Sequence, residues 1–266
     1  MSESVVLSEL DGRGVATVTI NRPAVNNAYN GAVIEGLAQA FGALAENPAV
    51  RVAILRGNGK HFQAGADLTF IKELSGRSLE QGLAFSRLTF TTVDALRRFR
   101  RPTMALVQGG CFGGGVGLVA ACDIAIATSD AIFSLTEVRW GITPAPIMGL
   151  ITRRLGPRAL GRYALSGERF GAAQAHRMGL VHEVCAPGML DEAAAPVIEA
   201  ILTNAPEATA RTKELIEESL LGDGRPGFGE AMAREGAARR HMPEAQEGLA
   251  SFVGKRLPSW YPPKPG

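Results

Sequence analysis

Six of the nine residues from Gly109 to Gly117 (Gly-Gly-Cys-Phe-Gly-Gly-Gly-Val-Gly) are glycine, and this stretch constrains the chain more than any other. The apolar run Pro102-Thr103-Met104-Ala105-Leu106-Val107-Gln108 leads into it, and Leu118-Val119-Ala120-Ala121-Cys122 follows. The pattern predicts a buried strand, a turn nearly without side chains, and the start of a helix. Glycine there lets another atom come close to the backbone. The first N–H groups of a helix lack partners within it, so they suit a phosphate or an oxyanion formed during a reaction.

Around this stretch, strand and helix signals alternate. Val5 to Leu7 and Gly14 to Ile20 predict two strands around the turn Asp11-Gly12-Arg13-Gly14, and Asn21-Arg22-Pro23 ends the second. Apolar residues recur at helical spacing from Asn30 to Glu46, and Asn47-Pro48 stops them. Val52-Ala53-Ile54-Leu55 reads as a buried parallel strand. Gly57 to Leu68 reads as a polar, Gly-rich loop, and Leu79 to Phe99 as a helix. Two short strands follow, Cys122 to Ala127 and Ala131 to Ser134; helical patterns dominate after Thr143 (Ala159–Leu165, Ala172–Met178, Met189–Asn204, Pro206–Leu221, Phe228–His241). Alternation of this kind predicts an α/β fold with a parallel sheet. Pro258 to Gly266 reads as a loose tail.

Three readings compete for the glycine stretch. A nucleotide P-loop fails, because no Gly-Lys-Ser/Thr follows. A dinucleotide fingerprint is nearly met by Gly115-Val116-Gly117-Leu118-Val119-Ala120, with Glu137 about 20 residues on. It sits mid-chain, however, and Asp123 opens a strand too soon for a normal crossover helix. The third reading is a backbone donor for an oxyanion, which needs a second donor. Phe62-Gln63-Ala64-Gly65-Ala66-Asp67-Leu68, a loop of small residues after the preceding buried strand, supplies it. Both loops then lie at the carboxyl edge of one sheet, where ligands bind in such folds.

Composition removes other classes. A net charge of +2 gives no reason to expect nucleic acid or a membrane surface as partner. Cys111, Cys122 and Cys185 form neither an even set nor a metal-ligand spacing, so no metal site is expected. The residues from Met1 to Glu9 lack the pattern of a secretory signal, and no stretch approaches the ~18 consecutive apolar residues of a spanning helix. A cytoplasmic protein is expected.

These motifs together resemble the crotonase superfamily, the enoyl-CoA hydratases and isomerases. The resemblance runs through Asn21-Arg22-Pro23, Phe62-x-Ala64-Gly65-Ala66-Asp67-Leu68, Gly113-Gly114-Gly115 and Cys122-Asp123-Ile124-Ala125. It continues in Phe133-x-x-x-Glu137-x-x-x-Gly141, Leu165-Ser166-Gly167-Glu168, Ala175-x-x-x-Gly179-Leu180-Val181 and Glu247-Gly248-x-x-x-Phe252-x-x-Lys255-Arg256.

The resemblance implies a spiral core of ββα turns over 1–200 that binds acyl-CoA, and a C-terminal helical trimerisation region over 201–266. It implies a homotrimer or a dimer of trimers, with coenzyme A as part of the substrate and no separate cofactor. The thioester carbonyl would lie between the N–H groups of Ala66 and Gly114, which stabilise an enolate. Val25, Ala64, Asp67 and Leu68 would hold the adenine and pantetheine parts. Phe252 and Lys255 would meet CoA, often from a neighbouring subunit. Gly117 and Trp140 would lie at the acyl group.

The chain also departs from the family. Its hydratases use two glutamates; Glu137, 14 residues after Asp123, matches the second, but Gly117 stands where the first belongs. Trp140 and Ile142 are expected to bury Glu137 and raise its pKa, which suits proton transfer. Ala145-Pro146-Ile147-Met148 replaces the usual Gly-rich run, so the acyl pocket is expected to be reshaped. Thr69 replaces a common lysine, leaving Lys72 as the nearest cation. The resemblance therefore implies hydration of an enoyl-CoA, on a branched or glutaconyl-type substrate whose carboxylate meets Arg139 or His61. Its alternatives are C2/C4 isomerisation by Glu137, other single-glutamate chemistry such as decarboxylation or thioester hydrolysis, and a non-catalytic CoA-binding role.

Overall fold

The computed structural model describes residues 4–262. β1 (Val6–Leu10) and β2 (Val15–Ile20) form an antiparallel hairpin in which Val6 faces Ile20. Along β2 the buried side chains alternate (Ala16, Val18, Ile20), because one face meets the core. α1 (Gly31–Ala45) starts at Asn30, whose side chain accepts the Val33 N–H. β3 (Val52–Gly57) then pairs parallel with β2.

From there the chain turns as a spiral. β3 is followed by β4 (Gln63–Ala64), α2 (Leu68–Ser75) and α3 (Leu79–Arg97). β5 (Thr103–Val107) is followed by β6 (Gly110–Phe112) and α4 (Gly114–Ala121). β7 (Ile124–Thr128) is followed by β8 (Ile132–Ser134) and α5 (Met148–Ser166). Each turn gives one strand to each of two sheets. The larger sheet runs β1-β2-β3-β5-β7-β10, with β10 at Glu183–Cys185; the smaller runs β4-β6-β8-β9, with β9 at Phe170–Gly171. β4, β6 and β8 are parallel, and among the described residues only β1 and β9 pair antiparallel. The α/β fold with ββα turns that the resemblance implies is present.

Burial explains the strand compositions. Every residue of β5 is buried, as expected where both faces of a parallel sheet are covered. One face joins the main core beneath α1, α3 and α4. The other is closed by Leu190 and Ala194 of α7 (Leu190–Thr203), which pack on Ile54, Met104, Leu106 and Ile126. α6 (Ala172–Arg177), α8 (Pro206–Gly222), α9 (Phe228–Arg239) and α10 (Pro243–Val253) complete the chain. Asp123 fastens the start of β7 to its neighbours: its carboxylate accepts from the Thr103 N–H at 2.8 Å and from Lys213 Nζ at 2.7 Å. Among the described residues, no helix is long and apolar enough to cross a membrane.

Four expectations need correction. The glycine stretch is not a single turn, because Gly110 to Phe112 is a strand of the smaller sheet between two turns, at Gly109 (φ +57°) and Gly113 (φ +52°). The loop to Leu68 ends in α2, a helix capped by Asp67 and missing from the sequence reading. The helix expected from Gly156-Pro157-Arg158 into Ala159 is present, but a helix from Met148 precedes it, broken from it at Gly156 (φ +71°, ψ 157°), and is missing from the sequence reading. The tail is anchored as far as it is described. Trp260 accepts from Arg51 at 2.6 Å and donates its indole N–H to Thr203 at 3.0 Å, and the Tyr261 hydroxyl bonds Glu199. Residues 1–3 and 263–266, which carry parts of the N-terminal and tail readings, lie outside the described residues.

Candidate active site

The smaller sheet brings the two glycine-rich loops together. Gln63 pairs with Cys111 and Ala64 with Phe112, in parallel. The pairing ends there: Gly65 (φ +90°) and Gly113 (φ +52°) turn the two chains, and Ala66 and Gly114 each follow two residues after a paired position. The N–H of neither residue donates to an acceptor among the described residues. For Gly114 the reason is general, since it is the first residue of α4.

A strap of chain from Arg22 to Tyr29 supports the first loop. The fully buried Asn27 side chain accepts from the Arg22 N–H and donates to the carbonyls of Asn58 and His61 at 2.8 and 2.7 Å. Ala64 N–H then donates to Asn26 O at 3.0 Å, Tyr29 N–H to Gly65 O at 3.0 Å, and Asp67 N–H to Tyr29 O at 2.9 Å. Ala64 and Asp67 are thus tied to this strap, while Val25, just before Asn26, and Leu68, just after Asp67, are exposed. The Asp67 carboxylate is already occupied: it caps α2 through the Thr69 and Phe70 N–H groups and meets Arg22 at 3.2 Å.

Gln63 escaped the sequence reading. Its amide is fully buried, donating to Gly65 O at 2.9 Å and accepting from Gly65 N–H at 3.1 Å. A Cβ on Gly115 would overlap its Oε1. One side chain thus touches the residue before Ala66 and the residue after Gly114. A polar residue between Phe62 and Ala64 was the available signal.

Glu137 starts a 3₁₀ turn after β8. Its Oε1 lies 2.8 Å from where a Cβ on Gly113 would stand, and its Oε2 is buried without a hydrogen-bond partner among the described residues. Burial pushes its carboxyl above the ordinary value, as expected. Trp140 does not do the burying, because it is 57% exposed.

Glu137, Gly114 and Tyr29 line a cavity of about 650 Å³ walled by α2, α3 and the segment Ile142 to Ile147. Tyr29, also missed from sequence, is half-buried; burial and the charge of Glu137 push its hydroxyl up to about 12.

The other expected residues lie elsewhere. Gly117, expected at the substrate, is shut off from the cavity, because a Cβ there would overlap Cγ2 of the buried Ile147. Trp140, Phe252 and Lys255 do not line the cavity, and Phe252 is 84% exposed on α10. Arg139 donates to Gly167 O at 2.6 Å, and His61 Nδ1 accepts from the Gly110 N–H at 2.8 Å. Burial, followed by the charge of Lys60, lowers the His61 pKa, consistent with that accepting nitrogen. Neither residue lines the cavity; among the described residues its one cationic lining residue is Arg77.

A family model described as enoyl-CoA hydratase/isomerase matches residues 11–263. A short-chain-enoyl-CoA hydratase of Clostridium acetobutylicum is 31% identical over 261 residues, 94% of this chain and 95% of its own length. A mevalonyl-coenzyme A hydratase of Aspergillus fumigatus is 32% identical over 262 residues, 94% of this chain and 92% of its own length. The crystal structure of an enoyl-CoA hydratase from Shewanella pealeana superposes with a TM-score of 0.92 at 36% identity, covering 96% of each chain.

Proposed function

The chain belongs to the enoyl-CoA hydratase/isomerase family, and on that premise we propose that it hydrates an α,β-unsaturated acyl-CoA thioester with Glu137 as its acid–base group. The observation that carries this reading is the buried, unpartnered Oε2 of Glu137 in a cavity shared with Gly114. A carboxylate left so is suited to take and return a proton near neutral pH.

In the proposed reaction the thioester carbonyl accepts from the N–H groups of Ala66 and Gly114. These are free for that role, and each such donor is typically worth ~3 kcal/mol of barrier. Water adds its oxygen to C3 and passes a proton to Glu137. The enolate at C2 then takes a proton from Glu137, which regenerates the carboxylate. Val25, Ala64, Asp67 and Leu68 border the CoA moiety along the Asn26–Asp67 strap. Phe252 and Lys255 reach CoA from a neighbouring subunit of a trimer or dimer of trimers built on 201–266. CoA belongs to the substrate, so no separate cofactor is needed. Arg77 on the cavity wall supports a glutaconyl-type acyl group, whose carboxylate a guanidinium pairs with.

One observation favours isomerisation as a second reading. Ile147 makes the Gly117 side of the site apolar, and a C2/C4 proton shuttle by Glu137 alone needs no water there. The test is turnover of crotonyl-, 3-methylglutaconyl- and 3-hexenoyl-CoA, followed by mass in ¹⁸O-labelled water. Hydration adds labelled oxygen. Isomerisation of the 3-enoyl ester adds none and, in heavy water, incorporates deuterium. No turnover of any of the three would remove both readings.

A further inference from the structure

Tyr29 shares the cavity with Glu137 and has no part in the chemistry so far. Its backbone is held on both sides, N–H to Gly65 O and C=O from Asp67 N–H, so its Cα is fixed to the Ala66 loop. Its ring packs on the glycine turn: a Cβ on Gly114 would stand 2.6 Å from Cε1 and 3.2 Å from Cζ. Glu137 holds the same relation to the preceding residue, with Oε1 2.8 Å from a Cβ on Gly113. The two side chains therefore press on consecutive residues of one turn from within one cavity. The Tyr29 hydroxyl has no hydrogen-bond partner among the described residues. Phe85, stacked on its ring at 6.4 Å, and Phe70, edge-on to Phe85 at 4.9 Å, brace it from α3 and α2.

On the side where a second carboxylate would come, Gly117 has no side chain and Ile147 fills the space. We propose that Tyr29 is the water-positioning residue of this site, holding the attacking water by its hydroxyl while Glu137 takes the proton. The proposal rests on the hydration reading. In it the water oxygen bonds to C3, one water proton goes to Glu137 and from there to C2, and the phenol keeps its own proton throughout. With its hydroxyl pushed up to about 12, Tyr29 stays neutral at working pH and competes with Glu137 for no proton.

The test separates water addition from enolate formation. Hydration of crotonyl-CoA requires both, whereas exchange of the C2 protons of butyryl-CoA in heavy water requires only Glu137 and the oxyanion donors. In Tyr29→Phe the hydration kcat should fall ~10- to 100-fold, the loss typical of one directed hydrogen bond. KM should hold within about threefold, and exchange should fall by at most about threefold. The ratio of hydration to exchange is the readout, because loosened packing would lower both together. Equal losses in the two reactions, or hydration at the parent rate, would overturn the role of Tyr29. If the unchanged protein exchanges C2 protons but hydrates none of the three enoyl-CoAs, the hydration reading falls and this proposal with it. That outcome is visible before any variant is made.

Discussion

Gly117 and Ile147 fill one space between them: a Cβ on Gly117 would overlap Ile147 Cγ2 and stand 2.8 Å from its Cβ. Gly117 lies inside α4, where replacing glycine by alanine ordinarily stabilises by about 1 kcal/mol. Here the sign should reverse. Gly117→Ala should destabilise by about 1–3 kcal/mol through overpacking against a buried side chain. Ile147→Ala alone opens a cavity and should lose about 2–5 kcal/mol. The double variant should lose less than the sum, because each change relieves the other. Urea denaturation of the four proteins measures this, and additive losses would show that the two side chains do not share the space.

Glu137 makes stability depend on pH in an unusual direction for an acid. Its folded pKa is raised by burial from the ordinary 4.5. Above the raised value the folded protein carries a charge that burial disfavours, so ionised Glu137 subtracts from stability. Below 4.5 the group is protonated in both folded and unfolded chains, and the subtraction disappears. Glu137→Gln should therefore be more stable than the parent at pH 7–8, with the gap closing as pH falls toward ~4.5. The same variant should lose about 10²- to 10⁴-fold in turnover. Denaturation midpoints across pH, beside rates on crotonyl-CoA, check both. A variant less stable than the parent at pH 8 would mean that the folded site stabilises the charge.

Asp123 joins three elements, since Thr103 begins β5, Asp123 precedes β7 and Lys213 lies on α8. Its Oδ2 accepts from Thr103 N–H, Thr103 Oγ1 and Lys213 Nζ at 2.8, 2.9 and 2.7 Å. The Lys213 and Asp123 side chains are only 14% and 25% exposed, so the pair is better shielded than a surface bridge. Asp123→Ala should lose about 2–3 kcal/mol, as expected where charge-assisted hydrogen bonds go and a cation is left unpaired. Thermal melting at low and at 0.5 M salt tests the shielding: the loss should be nearly the same in both.

The sequence carries five strands of the larger sheet clearly, because runs such as Val52 to Leu55 and Met104 to Val107 are apolar throughout, but not its edge strand β10. Of the smaller sheet only β8 is legible, as the short apolar run Ala131 to Ser134. β4 and β9 are two residues long, and β6 consists of Gly-Cys-Phe, so no periodicity of two can develop. In the site, Glu137 and the two glycine-rich loops stand out by motif and spacing. Tyr29 and Gln63 do not, because their importance comes from what the fold sets against them. Ile147 is likewise an ordinary apolar residue until a buried, side-chain-free Gly117 is placed beside it.

Gln63 offers a test of how tightly the two backbone donors must be placed. Its amide donates to Gly65 O at 2.9 Å and accepts from Gly65 N–H at 3.1 Å, and it lies directly under Gly115. Gln63→Ala leaves the Gly65 N–H without its partner, and a buried group so stranded costs about 1–3 kcal/mol, while Gly65 O keeps the Tyr29 N–H. It also frees the residue before Ala66 to rotate. A misplacement of the order of 1 Å is enough to cost about 10²-fold in rate. Gln63→Glu retains an acceptor for the Gly65 N–H but loses the amide donor to Gly65 O. Turnover should therefore fall in the order parent, Gln63→Glu, Gln63→Ala, with KM for the CoA ester changing less than kcat. Steady-state rates read alongside melting temperatures settle the question. If Gln63→Ala loses stability while kcat is untouched, the amide holds the fold together without setting the donor geometry.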